Sequence, residues 1–363
     1  MSKESYIVSA LKYRPLTWGS VVGQSNITDT LQKAIDTGQL AQAYLFCGPR
    51  GVGKTTIARI FARSINQVDD KEQTDFSYNI FELDAASNNH VDDIRNITDQ
   101  VRIPPQIGKY KVHIIDEVHM LSSAAFNAFL KTLEEPPPHA IFILATTEKH
   151  KIIPTILSRC QVYDFNRITV KDIADHLEDI AKKEKVVAEK EALMVIAEKA
   201  DGALRDALSV FDQMVNFCNG NITYEAVIKN LNILDHDYFF KISDKVYKND
   251  IHETLMIFDE ILAKGFDGHH FITGLGSHFR NLLVCRDKKT ISLLEVSDKI
   301  KDQFIEQSNN FDSRIIIDIL KIVSEADIHY RTSKNQRLHV ELALMKMASL
   351  SISDEKKKQL ISA

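Results

Sequence analysis

The run GPRGVGKTT, Gly48 to Thr56, commits its surroundings to one local shape: a strand that ends in a glycine-rich turn and feeds directly into a helix. Gly48, Gly51 and Gly53 let backbone N–H groups turn inward around an anion, while Pro49, Arg50 and Val52 complete the loop and Thr56 opens the helix. Lys54 can reach terminal phosphate oxygens, and the Thr55 hydroxyl can hold Mg²⁺. The positive end of the helix adds attraction for the same anion. A chance match to GxxxxGK[ST] in a chain of this length has a probability on the order of one per cent. The loop is therefore read as a nucleoside triphosphate site.

With 363 residues the chain exceeds the size at which a single core stops growing, so two or three domains are expected. A hydrophobic content of 44% supports ordinary cores, and a net charge of -5 is no signature of a nucleic-acid binder, so any DNA contact must come from a local patch. Cys47, Cys160, Cys218 and Cys285 are scattered, with no pair at metal-ligand spacing, and read as buried free thiols of a reducing compartment. The N-terminal MSKESYIVSALKYRP lacks the apolar stretch of a signal peptide, and no run approaches the ~18 apolar residues of a membrane span. A soluble, cytoplasmic protein with no membrane partner is expected.

Short apolar runs at 43–47, 80–84, 112–116, 141–145 and 161–164 alternate with helical patterns at 55–65, 91–101 and 122–133. Strands separated by ten or more helical residues imply parallel crossovers, and such sheets place their ligands at the strands' C-terminal ends. The fold class is α/β, a parallel sheet with helices on both faces. Beyond Arg167 the strand signal fades, and helices are expected at 170–183, 189–200 and 203–216. Further amphipathic helices follow at 238–248, 252–263, 269–284, 313–330 and 337–350, and the charge run Asp354 to Lys358 reads as a solvated tail.

The run Val112 to Ile115 would deliver Asp116 and Glu117 to the edge of the sheet where the phosphate loop sits. Asp116 would then act on Mg²⁺, through water, and Glu117 would polarise the attacking water. The strand IFILATT, Ile141 to Thr147, ends in hydroxyls at the same edge. Thr147, with Thr146 second, is the candidate for orienting that water, although two threonines satisfied by nearby backbone would look identical in sequence.

Taken together, RPLTWGSVVGQ (Arg14 to Gln24), GPRGVGKTT, IIDEVHML (Ile114 to Leu121), NAFLKTLEEPP (Asn127 to Pro137), ILATTE, ILSRC (Ile156 to Cys160) and GALRDAL (Gly202 to Leu208) resemble the gamma/tau subunit family of bacterial DNA polymerase III, the AAA+ motors of the clamp loader. The motifs occur in the family's order from about Tyr13 to Asn216; from Leu231 onward only the all-helical pattern agrees. The resemblance implies an AAA+ P-loop NTPase domain at 1–166, a small helical lid domain at 167–232 and an all-helical collar domain at 233–363. It implies ATP and Mg²⁺ as cofactors, and as partners other clamp-loader subunits, copies of this chain, a sliding clamp and primed-template DNA. It further implies that Arg159 is supplied in trans to ATP on a neighbouring subunit, that Arg205 touches the phosphates in cis, and that Val22 and Leu204 line the adenine pocket. Arginine suits such roles because its planar fork stays charged.

Two departures from the family pattern stand out. Its members usually carry a four-cysteine zinc module after the phosphate-loop helix, whereas the corresponding stretch Asn66 to Tyr78 holds neither Cys nor His, so no zinc is expected there. The segment that in the family approaches the DNA backbone tends to be basic. Here Asn88, His90 and Arg95 are the candidate DNA contacts, and Arg95 alone brings a fixed positive charge. Two other readings use the same motifs: one is another AAA+ motor, such as a Holliday-junction helicase or a replicative helicase loader, of which a translocating helicase would separate strands with no clamp present; the other is an assembly scaffold that never hydrolyses ATP, which would have little need of Lys54, Thr55, Asp116 and Glu117 together.

Overall fold

The computed structural model describes residues 7–66, 79–106, 108–294, 296 and 298–361, with backbone alone at 298, 299 and 351–361. The stretch discussed for zinc lies outside the described residues from 67 to 78. The chain forms two compact units, Met1–Asn221 and Ile222–Ala363.

In the first unit, α1 (Ser9–Lys12), a 3₁₀ turn at Trp18–Ser20 and α2 (Ser25–Asp36) precede β1 (Ala43–Cys47) and α3 (Lys54–Ser64). Then come β2 (Ile80–Asp84), α4 (Val91–Val101), β3 (Lys111–Asp116), a 3₁₀ turn at Val118–Met120, α5 (Ser123–Glu134) and β4 (Ala140–Thr146). A 3₁₀ turn at Lys149–Lys151, α6 (Pro154–Leu157) and β5 (Gln161–Asp164) complete the sheet region. The five strands are parallel in the order β2-β3-β4-β1-β5. β1, β3 and β4 are buried along nearly their whole length because both of their faces are covered. The period-2 alternation of strands sorts their side chains between the two faces. Leu45, Ile115 and Leu144 pack with Ile94 of α4 and Phe129 of α5, whereas Tyr44, Phe46, Ile114 and Ile143 pack with Leu31 of α2 and Phe61 of α3.

Register decides where the chemistry falls. Cys47, the last residue of β1, lies opposite Thr146 of β4 and Asp164 of β5, and Asp84 of β2 lies opposite Asp116 of β3. The strands thus end together, and the phosphate loop starts at that edge. The Ser122 hydroxyl accepts the Ala125 N–H to start α5, which stops before the Pro136 to Pro138 run.

After β5 come α7 (Val170–Glu184), β6 (Val187–Ala188), α8 (Lys190–Lys199) and α9 (Leu204–Phe217), with buried faces that include Leu177, Ile196 and Phe211. β7 (Asn221–Ile222) runs across the division between units. The second unit is helical: α10 (Tyr224–Asn230), α11 (His236–Tyr247), α12 (Ile251–Ala263), α13 (Gly268–Val284), α14 (Asp298–Ser308), α15 (Ser313–Tyr330) and α16 (Gln336–Ile361). The charged tail continues α16 as backbone, and its side chains lie outside those described. Aspartates set the helix starts: Asp235, Asp250, Asp267 and Asp312 each accept a first-turn N–H, each worth about 1 kcal/mol over alanine. The core is built on Phe239, Phe258, Phe271, Phe279, Phe304 and Phe311. Among the described residues no helix is long and apolar enough to cross a membrane.

Candidate functional site

The phosphate loop turns between β1 and α3 under two close approaches that only glycine permits. A Cβ on Gly48 would sit 2.5 Å from the Phe165 carbonyl oxygen. Gly51 has φ +77°, and a Cβ there would lie 3.0 Å from Cβ of Ala203, just before α9. The Arg205 N–H also points at the Gly51 carbonyl, at 3.4 Å, so the start of α9 rests on the loop. A cleft of about 440 Å³ lies here, lined by Arg50 to Thr56, Val22, Asp116, Glu117, Leu204 and Arg205.

Lys54 is 6% exposed and donates to the carbonyls of Gly48 and Pro49, each at 2.7 Å. Burial pulls its pKa below the usual lysine range, against the opposing charges of Glu117 and Asp116. The Thr55 hydroxyl donates to Asp116 Oδ2 at 2.6 Å, and Asp116 Oδ1 accepts the Glu117 N–H at 2.9 Å. One hydroxyl and one carboxylate meeting at a phosphate loop make a hard oxygen donor set that fits Mg²⁺ held together with substrate phosphates. Among the described residues no cluster of three or more His, Cys, Asp or Glu could hold a metal on its own.

Glu117 adopts left-handed backbone, φ 48° and ψ 43°, a conformation uncommon for a residue with a side chain. Its Oε2 accepts the Thr147 hydroxyl at 3.0 Å. The geometry separates the two threonines that sequence left together. Thr146 is fully buried and occupied locally, bonded to His119 Nδ1 and to the Glu148 N–H, both at 3.0 Å. Thr147 also borders a second cleft, with Gly48, Pro49, Lys149, His150 and Asp164.

Arg159 is exposed, past the end of α6, and lines neither cleft. Its guanidinium bonds Glu134 and the Thr155 carbonyl, each at 2.9 Å. Asn88 donates to the Asp84 carbonyl, His90 caps α4, and exposed Arg95 pairs with Asp92 at 3.2 Å.

Sequence reasoning missed the N-terminal wall of the cleft, which includes Leu11, Tyr13, Arg14 and Pro15. Arg14 Nε donates to Thr56 Oγ1 at 3.2 Å, and Trp18 Nε1 donates to Ser64 Oγ at 2.9 Å, both on α3. In the other direction, Tyr13 and Lys12 bond Glu184 of α7, and the Ser9 N–H bonds Asp212 of α9 at 2.7 Å. Burial and the nearby Arg59 charge lower the Arg14 pKa. The only sequence signal was the Arg14 to Gln24 motif, whose residues other than Val22 carried no assigned role.

Three family models tile the chain: DNA polymerase III, delta subunit, over residues 23–169; DNA polymerase III clamp loader subunit, ATPase lid domain, over 172–220; and DNA polymerase III subunits gamma and tau domain III, over 222–361. The chain is 38% identical to the tau subunit of Bacillus subtilis DNA polymerase III, with 93% of this chain and 62% of that protein aligned. It is 33% identical to the gamma subunit of Buchnera aphidicola subsp. Baizongia pistaciae, with 96% of this chain and 98% of that protein aligned. Its alignment with the gamma/tau subunit of Mycoplasma genitalium, at 38% identity, takes in 86% of this chain but 54% of that protein. The chain therefore spans little more than half the length of some of its longer relatives. Among solved structures, a single-residue variant of RuvB from Thermotoga maritima matches with a TM-score of 0.50 and 22% identity over 65% of this chain and 79% of that one, a likeness of fold.

Proposed function

Because the chain belongs to the gamma/tau family of DNA polymerase III clamp-loader subunits, we propose that it is an ATP-hydrolysing motor subunit that loads a sliding clamp onto primed DNA. The observation that carries this reading is the meeting of Thr55, Asp116, Glu117 and Thr147 around the phosphate loop. A binding-only scaffold has no use for a strained acid held against a second hydroxyl.

In this reading Lys54 leaves its loop carbonyls for the β and γ oxygens of ATP, and Glu117 accepts the proton of the attacking water while Thr147 orients it. Thr55 and Asp116 would hold Mg²⁺, which would supply positive charge to neutralise the transferring phosphoryl oxygens. Val22 and Leu204 bound the base, and Arg205 carries nucleotide state to the helices after β5, because its backbone already rests on Gly51. Arg159 lies away from its own chain's cleft, which suits an arginine given to a neighbouring subunit. ATP then favours a clamp-gripping arrangement and hydrolysis releases it. The helices from residue 233 onward would join this chain to copies of itself and to related subunits.

The test is ATP turnover by the chain in a reconstituted loader, with and without clamp and primed DNA, for wild type and Arg159→Ala. Stimulation that needs both ligands and Arg159 supports the motor reading. Turnover indifferent to the clamp refutes it in favour of another AAA+ motor.

A further inference from the structure

We propose that His119 is a positioning residue that locks the Glu117 carboxylate and couples it to the segment leading to Arg159; the proposal rests on the ATPase reading above. His119 sits in the 3₁₀ turn immediately after Glu117, with its side chain 6% exposed. Its Nε2 lies 3.2 Å from Glu148 Oε1, and its Nδ1 lies 3.0 Å from Thr146 Oγ1 and 3.4 Å from Glu117 Oε2. A carboxylate only accepts, so Nε2 carries a hydrogen toward Glu148. The Thr146 hydroxyl, which also accepts the Glu148 N–H, faces Nδ1 as its hydrogen-bond partner. Both ring nitrogens are thereby engaged, Nε2 by Glu148 and Nδ1 by Thr146 beside Glu117.

The ring stands where Glu117 needs support. Left-handed backbone aims the Glu117 side chain toward β4, and its outer oxygen is then bracketed by the Thr147 hydroxyl on one side and the His119 ring on the other. On the far side, Glu148 is held by Lys151 at 2.9 Å and approached by His150 at 3.5 Å. Those residues belong to the Lys149–Lys151 turn, which runs through α6 to Arg159. Two side chains, His119 and Glu148, thus connect the acid expected to polarise water with the segment expected to serve the neighbouring subunit. A histidine that merely filled space would be indifferent to Glu148.

The experiment measures ATP affinity with a fluorescent ATP analogue and kcat in the reconstituted loader with clamp and primed DNA. The variants are His119→Ala, His119→Gln, Glu148→Gln and the double variant His119→Ala with Glu148→Gln. A loosened Glu117 should lower kcat by about 10-fold to 100-fold in His119→Ala, with ATP affinity unchanged within about twofold. His119→Gln, which keeps an N–H toward Glu148, should recover part of the loss, and the double variant should be no slower than His119→Ala because both act through one path. A kcat within twofold of wild type for His119→Ala overturns the proposal, as does multiplication of the two single losses. Glu148 is part-exposed, so its variant keeps the test decisive should His119→Ala fold poorly. Absence of turnover in the wild type would instead refute the ATPase reading itself.

Discussion

Acidification should weaken this fold through its buried imidazoles, and His278 offers the cleanest measurement. It is 2% exposed in the second unit, where Nε2 bonds Gln307 Oε1 at 3.0 Å and Nδ1 has no partner among the described residues. Gln307 is itself fixed, since its amide donates to the Phe240 carbonyl at 2.9 Å and to Asp244 Oδ1 at 2.8 Å, which leaves its oxygen as the acceptor for His278. Burial pushes the His278 pKa down to about 3, against the Gln307 hydrogen bond, which acts the other way. An unfolded histidine titrates near 6.5, so between these values the unfolded chain takes up a proton that the native chain refuses. Stability present above pH 6.5 is therefore lost as pH falls toward 3. At pH 5 the loss from this one residue is about 2 kcal/mol, from 1.5 pH units at ~1.4 kcal/mol each. In urea that corresponds to a midpoint shift of roughly 1 M. The assay is urea unfolding of wild type and His278→Gln at pH 7 and pH 5. The glutamine variant should show about 2 kcal/mol less pH dependence, whatever its absolute stability. An equal pH dependence in both proteins, or an His278 ring signal titrating near 6.5 by NMR, would refute the argument. His113 in β3 behaves alike: burial, and then the Lys111 charge, take it to about 3, so the first unit should weaken over the same range.

Lys54→Ala should abolish ATP binding as read by calorimetry, whereas Glu117→Gln should bind ATP within a few-fold of wild type and lose turnover by about 100-fold or more. Gly51→Ala adds a methyl group 3.0 Å from Cβ of Ala203 at a positive φ, a strain of about 1 kcal/mol or more. It should weaken ATP affinity by about fivefold or more; unchanged affinity would show that the start of α9 moves away freely. The salt dependence of DNA affinity for this chain alone should be shallow, because Arg95 is the one fixed positive charge in Asn88 to Arg95 and it is shared with Asp92. A log–log slope steeper than about -3 would contradict it.

All five strands of the sheet were legible, most plainly β1 and β4, which are buried on both faces and read as continuous apolar runs, as Tyr44 to Cys47 and Ile141 to Ala145 show. The acidic pair was legible because it follows such a run directly. Helix α2 escaped notice although Ile27, Leu31 and Ile35 repeat every four residues, since the intervening residues are mostly polar and no side chain caps its start. Helices α10 and α14 are short or mostly polar, and so leave a faint periodic signal. The His119 network could not be read from spacing at all. Its members meet because β3 and β4 lie side by side, and Thr146 and Glu148 are far from His119 along the chain. The N-terminal wall escaped for the same reason, its partners Glu184 and Asp212 being supplied by helices far along the chain.

That wall also limits how far the molecule can gape. Tyr13 is anchored to α7, and its neighbour Arg14 is anchored to α3, so the helices after β5 and the helix of the phosphate loop are moored to adjacent links of one chain. The next mooring, Trp18 on Ser64, leaves five links from Tyr13, a reach of about 17 Å when drawn straight. A swing of α7 away from α3 beyond that slack must snap a bond at one end or the other. Motion around the nucleotide should therefore proceed in clicks, as moorings slip, instead of drifting.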